Sequence, residues 1–271
     1  MSDPTAPTGD LDACAALVAR ADPDRFATLM AAPVPARAAL LPLYAFNVEV
    51  ARAPWVTQEP MIVEMRLQWW RDVLEEIASG GPVRRHEVAT PLADTLRRPA
   101  PDGAADRLST APALLDELVA ARRRDTAQMP FDDPAALRAY LDATAGNLMV
   151  VAALLLGDAA QTPVRAIGRA HGLAQYLMAV PELEARGKAP LPDGRPDTLR
   201  AFAREGRDWL AEGRAARLPK QVRPALWPAW QADAILKRAA AHPARVGQGA
   251  LAPSEFSRRF GLLRRGLTGA V

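Results

Sequence analysis

The amino-acid sequence predicts an all-α fold, and three observations carry the expectation. Most of the 25 prolines stand where helices begin, several directly after a capping residue. Apolar residues recur at helical spacing, most clearly over residues 60–79. Strand signals are nearly absent, since no Asn-Gly or Asp-Gly turn separates alternating β-branched runs.

Taken in order, the start MSDPTAPTGD is polar and acidic, so residues 1–10 are expected to be disordered. It lacks the charged and apolar regions of a signal peptide. A first helix is expected near 11–20, and Asp22-Pro23 then starts a second over 23–32. In such a pair the Asp side chain caps, and the missing proline N–H costs nothing at the first helical position. The third helix, 35–52, contains most of PLYAFNVEVARAPW (42–55), which Pro54 and Trp55 close. In PMIVEMRLQWWRDVLEEIAS (60–79), Val63, Leu67, Trp70, Leu74 and Ala78 form one stripe; Ile62, Met65, Trp69, Val73 and Ile77 widen it. Thr90-Pro91, Asp133-Pro134 and Thr162-Pro163 announce helices over 91–98, 134–156 and 163–180. Further helices fall near 111–127, 197–213 and 224–241. The connectors at 97–106 and 185–196 are too short for domain linkers, so residues 11–271 are expected to form one domain. EFSRRFGLLRRGL (255–267) puts Phe256, Phe260, Leu263 and Leu267 on one face and Arg258, Arg264 and Arg265 off it. Such a basic amphipathic helix docks on its own bundle or attaches to a membrane surface or a partner.

Composition removes several functions. A net charge of +3 over 271 residues, with arginines and acids interspersed, does not suggest nucleic-acid binding. Cys14 is the only cysteine, so neither an internal disulfide nor a thiolate metal cluster can form. His86, His171 and His242 are scattered, and no G-x-S-x-G elbow or P-loop is present. The strongly apolar run LMVVAALLLG (148–157) is too short to span a bilayer. These features together lead us to expect a soluble, cytoplasmic chain.

In an all-α protein, acids four apart share a helix face and can grip a cation. Asp72 and Glu76 have that spacing but lie on the polar side of 60–79, where Glu75 is placed to pair with Arg71. Asp132-Asp133 reads as a cap for the following helix. Glu49 differs, because Phe46, Val48, Val50 and Ala53 surround it and turn it inward or into a cleft. A buried carboxylate needs a partner, either an arginine of a neighbouring helix such as Arg66 or a ligand.

FATLMAAPVPARAALLPLYAF (26–46) resembles the opening of squalene and phytoene synthases, with Arg37 ahead of Tyr44-Ala45-Phe46. The likeness continues through LQWWRDVLEEIASG (67–80) and LVAARRRDTAQMPFDDPAALRAYLDATAG (118–146), including Tyr140 and Ala145-Gly146. It ends near GLAQYLMAVPELEARGKAPLP (172–192). The resemblance implies an isoprenoid (terpenoid) synthase-like helical bundle around a central cavity. Two aspartate clusters on facing helices would hold Mg²⁺ there against a departing diphosphate. At the first cluster this sequence has Ala51, Arg52 and Trp55; at the second it has Ala179, Glu182 and Leu183, with Met178 for the preceding arginine. The clusters are thus degenerate, as in a divergent branch that includes the mitochondrial assembly factor for respiratory complex I.

That resemblance implies a non-catalytic protein acting in complex I assembly or in isoprenoid or lipid binding, cytoplasmic or peripheral at the inner face of the membrane. Assembly partners or a membrane would be met through Phe256, Arg258, Phe260, Arg264 and Arg265. The alternative is a prenyl transferase performing head-to-head condensation, with Glu49 and Glu182 as residual magnesium ligands and Arg37 on the diphosphate. No cofactor is expected otherwise. The candidates for lining the cavity or binding a ligand are Arg37, Tyr44, Asn47, Glu49, Trp69, Tyr140, Gln175 and Glu182, with no catalytic or metal residue among them.

Overall fold

The computed structural model describes residues 8–57, 59–99, 107–157 and 160–254, and no strand occurs among them. The expectations for the amphipathic stretch at 255–267 and for residues 1–7 lie outside the described residues. Twelve α-helices are described: α1 (Thr8–Ala21), α2 (Pro23–Ala31), α3 (Val34–Arg52), α4 (Pro60–Ala78), α5 (Ala89–Arg97), α6 (Arg107–Arg122), α7 (Pro134–Leu141), α8 (Asn147–Leu156), α9 (Gln161–Ala185), α10 (Pro196–Ala215), α11 (Arg223–Leu226) and α12 (Ala232–Ala241).

Two of the proline caps form as the sequence suggests. Asp22 accepts from the Arg25 amide at the start of α2, and Asp133 accepts from the Ala136 amide at the start of α7. The other two do not. α5 starts before Thr90-Pro91, because His86 Nδ1 accepts from the amides of Val88 and Ala89 while Thr90 Oγ1 accepts from the His86 amide. α9 begins at Gln161, with no side chain capping it, and runs past the expected end to Ala185. The surface pairs also rearrange. Arg71 donates from Nε and Nη2 to Asp116 of α6, at 2.6 and 2.9 Å, instead of pairing with Glu75. Glu76 pairs with Arg84, and Asp72 accepts from Gln68.

The expected helix at 134–156 is continuous in direction but is interrupted by a π-turn at Asp142–Gly146 between α7 and α8. Residues 134–156 are long and apolar enough to cross a membrane. Yet 72% of their most apolar stretch is buried in the bundle, so they read here as a core helix. α9 lies directly against the π-turn. A Cβ on Gly168 would come within 2.7 Å of the Ala145 carbonyl, and one on Gly172 within 2.5 Å of the Ala145 side chain. These glycines let two backbones approach closely enough to pack α7, the π-turn and α8 onto α9. On its other side α9 packs against α10, while α4 covers α6 and α1 covers α3. One buried cluster runs through α1, α3, α4, α6, α8, α9 and α12, so the core is shared across the chain.

Candidate functional site

At the ends of α3, α6 and α9 the packing opens into two adjoining cavities, an outer and an inner lobe. The outer lobe, about 180 Å³, is bounded by Ala51, Trp55, Ala179 and Leu183 and by the charged groups Arg122, Arg124, Asp125 and Lys188. The inner lobe, about 200 Å³, shares Arg122, Tyr140, Tyr176 and Ala179 with the outer one as wall residues and is lined further by Arg25, Asn47, His171 and Gln175. The two tyrosine rings stand 6.0 Å apart and Phe131 packs on both. Aromatic side chains therefore narrow the cavity without filling it.

The local sequence explains how the charges arrive here. α6 ends at Arg122 and tightens into a 3₁₀ turn over Arg123–Thr126, presenting Arg124 and Asp125 at its end. After α9, Gly187 adopts a positive φ and lets the chain reverse, so Lys188 Nζ donates to the Asp125 carbonyl. The Ala189 amide donates to the Gln128 carbonyl at 2.9 Å and ties the two loops together.

Inside, Tyr140 donates to Asp125 Oδ1 at 2.7 Å, while Arg122 donates to Asp125 Oδ2 at 3.0 Å and to the Tyr140 oxygen at 2.8 Å. Burial opposes the charge on Arg122, but Tyr140 and Asp125 outweigh it and hold the guanidinium above its ordinary pKa. Burial together with the Asp125 charge pushes the Tyr140 hydroxyl well up, so it stays protonated. Burial lowers the pKa of Lys188. Its ammonium lies 4.6 Å from the centre of the Trp55 ring, which the Arg186 guanidinium also faces at 4.5 Å.

In the inner lobe, Arg25 Nη2 lies 3.4 Å from His171 Nε2 and above the Tyr44 ring. Burial, helped by Arg25, depresses His171 to about 3, so the ring is neutral and accepts at Nε2. Burial raises the Tyr44 hydroxyl to about 12, and that oxygen has no partner.

Of the residues singled out from the sequence, Asn47, Tyr140 and Gln175 meet at the inner lobe. Tyr44 adjoins it through Arg25. The others lie elsewhere. Arg37 donates to the Ala32 carbonyl at 2.7 Å and braces the α2–α3 turn. Glu49 lines a separate surface groove with Arg66, Trp69, Trp70 and His86, and its ion-pair partner is Arg52, at 3.3 Å, rather than Arg66. Glu182 is 69% exposed and accepts from Arg186. The two glutamates therefore line no common cavity. Sequence reasoning missed Arg25, Arg122, Arg124, Asp125, His171, Tyr176 and Lys188. The compact ARRRD run at 121–125, three arginines beside one acid at a helix end, was the one available signal.

The donor set does not suit Mg²⁺. The ion requires several hard oxygen ligands, whereas the outer lobe offers one carboxylate, already committed to Arg122 and Tyr140, among three cations. Among the described residues, no three His, Cys, Asp or Glu side chains come together as a metal site.

Comparison with known proteins agrees with this frame. The sequence pattern of the squalene/phytoene synthase family matches residues 18–194. A Drosophila melanogaster protein named NADH dehydrogenase (ubiquinone) complex I, assembly factor 6 homolog is 28% identical over 184 residues, covering 65% of this chain and 52% of that protein. The Homo sapiens assembly factor 6 is 26% identical over 182 residues, covering 66% and 52%. The chain thus spans about half the length of these relatives. In three dimensions it is similar to a dehydrosqualene synthase solved with a ligand (TM-score 0.74, 15% identity, 94% of each chain). It is also similar to a squalene synthase from Alicyclobacillus acidocaldarius (TM-score 0.67, 17% identity, 89% of this chain and 94% of that one). With its helices arranged as in those enzymes, and with nearly two thirds of its length matching the pattern, the chain belongs to the squalene/phytoene synthase family.

Proposed function

We propose that this chain works by binding and not by turnover, serving the assembly of a respiratory NADH dehydrogenase complex with its cavity kept as a ligand site. One observation carries the reading. The positions matched to the two aspartate clusters, Ala51 with Trp55 and Ala179 with Leu183, do face a common cavity, but its charged groups are Arg122, Arg124 and Lys188 against Asp125 alone. The frame that would position a diphosphate–magnesium complex is kept, and the polarity that would hold the metal is reversed. The relatives named as assembly factors support the first half of the reading. We assign the chain to the cytoplasm, peripheral at the inner face of the membrane, where such a complex would be built. A prenyl transferase using Glu49 and Glu182 is disfavoured, because one lines an outer groove and the other is exposed.

The test has two arms. Purified protein incubated with farnesyl diphosphate and magnesium should release no pyrophosphate, and magnesium-dependent release would refute the non-catalytic reading. Deleting the gene in its own host should lower the amount of assembled NADH dehydrogenase on native gels. An unchanged amount would remove the assembly role.

A further inference from the structure

We infer that the outward face of α4 is the contact of a symmetric homodimer, in which the α4 helices of two copies of this chain pack antiparallel across a twofold axis. The inference is independent of what the cavity holds. α4 carries apolar residues on two faces. Val63, Leu67, Trp70, Val73, Leu74 and Ile77 are buried in the bundle, so that face is already satisfied. Ile62, Met65 and Trp69 follow the spacing of a second face. Of these, Ile62 is 46% and Met65 66% exposed, and Met61 beside them is 75% exposed. Among the described residues eight large apolar side chains are exposed, and five of them, Trp55, Val56, Met61, Ile62 and Met65, fall within residues 55–65. Scattered exposed apolar residues are ordinary, whereas a concentration of them marks an interaction site.

Shape and charge select the occupant. Ile62 and Met65 share with Trp69, Trp70 and His86 the lining of a groove of about 440 Å³. A ridge and a groove on one helix suit an isologous contact, because each copy must offer both halves. Methionine suits the ridge, since its unbranched side chain adapts to an irregular gap. Glu59 stands at the start of α4 without a side-chain capping bond, and Arg66 follows seven residues later on the face of Ile62. Both are exposed, and neither forms an ion pair among the described residues, whereas Glu64, Arg71 and Glu76 of the same helix do. Separated by about 10 Å along the helix axis, they stand too far apart to pair within one chain. The face therefore has an acid at one end, a base at the other and apolar side chains between. Laid antiparallel on itself, it brings each Glu59 to the other copy's Arg66, giving two identical pairs around an apolar centre. A bilayer with anionic headgroups matches this face poorly, because Glu59 and Glu64 would be pressed against like charge.

Sedimentation equilibrium of the purified full chain is the test. A reversible monomer–dimer equilibrium with a micromolar or tighter Kd is expected. Met65→Glu should weaken it roughly a hundredfold, because the twofold axis places two unpaired carboxylates at the centre of the contact. Glu59→Arg and Arg66→Glu should each weaken it about tenfold by creating like-charge pairs, and the two together in one chain should restore it to within about threefold of wild type. Val34→Glu, which charges an equally exposed apolar position on α3, should dimerise as wild type. Circular dichroism of each variant guards against unfolding, and rescue by the double reversal is not expected of a change in helix stability alone. A chain that stays monomeric over the whole concentration range would overturn the proposal, as would a dimer indifferent to Met65→Glu or a double reversal no tighter than the singles. A monomer that sediments with anionic vesicles and loses this in Met65→Glu would also overturn it, and would give the face to a membrane.

Discussion

At the scale of single residues, the cavity depends on charges that have given up water and must be matched by their neighbours. Asp125 is the clearest case, since it accepts from both Arg122 and Tyr140 and is 15% exposed. Asp125→Ala should cost about 2–4 kcal/mol, because it strands a largely buried guanidinium and a buried hydroxyl. Urea unfolding would measure this, and a change under about 0.5 kcal/mol would mean that water replaces the carboxylate. His171 makes the fold sensitive to pH. Its folded pKa is about 3, below the roughly 6.5 of an unfolded histidine, because burial first and Arg25 second disfavour the cation. Stability from this group is therefore complete above about pH 6.5 and is lost as the pH falls towards 3, since the unfolded chain takes the proton first. By pH 5 the loss should be on the order of 2 kcal/mol. Asp22 adds to the loss at lower pH. Burial raises its pKa, but the Arg25 charge and hydrogen bonds outweigh that and leave it below the usual carboxylate value. Unfolding of His171→Gln at pH 7.5 and pH 5 checks the assignment: a pH dependence as steep as wild type would place the titration elsewhere.

At the scale of elements, the contact between α9 and the π-turn holds the cavity walls in position. Gly172→Ala brings two opposing forces to it. Alanine favours a helix over glycine by about 1 kcal/mol. The new Cβ, however, would sit 2.5 Å from the Ala145 side chain, with Leu141 packed behind it. Overpacking at such a contact costs about 1–3 kcal/mol, so net destabilisation is expected, and a thermal midpoint above wild type would show that α9 can shift without cost. The sequence made the helices legible and left their interruptions hidden. The stripe over 60–79 yields α4 nearly to the residue, because a long amphipathic period survives any local disturbance. The π-turn at Asp142–Gly146 and the break between α11 and α12 were not legible, since tertiary contacts set them and the local pattern does not. The site was legible in the same uneven way. Asn47, Tyr140 and Gln175 were named because they lie in the stretches that resemble the family. Lys188 and Arg124 were missed because loops bring them in, and loop geometry leaves no period to read. Glu49, expected to turn inward or into a cleft, does line a groove and is 19% exposed; what the sequence left unread is its partner, Arg52, one turn further along the same helix.

Across the whole molecule, a helical frame similar to that of dehydrosqualene synthase surrounds a cavity whose charged groups are Arg122, Arg124 and Lys188 against Asp125 alone. The family resemblance already implied the loss of acids at Ala51, Arg52 and Trp55 and at Ala179 and Leu183. Only the folded chain shows that cations from two other segments, Arg122 and Arg124 at the end of α6 and Lys188 after α9, line the same cavity. This excess of positive charge has a thermodynamic consequence that does not depend on any assay of turnover. A ligand that binds only the folded state raises its stability by RT ln(1 + [L]/Kd), about 2.7 kcal/mol at a hundredfold excess over Kd. For a chain of this size that corresponds to roughly 5–10 °C in the midpoint. Millimolar magnesium should leave the thermal midpoint where EDTA leaves it, because Asp125 is already committed and its neighbours repel a cation. A magnesium-dependent rise in the wild type would mean that carboxylates elsewhere, Glu49 and Glu182 among them, can reorganise around the ion. The positive cavity would then belong to one state of the protein only.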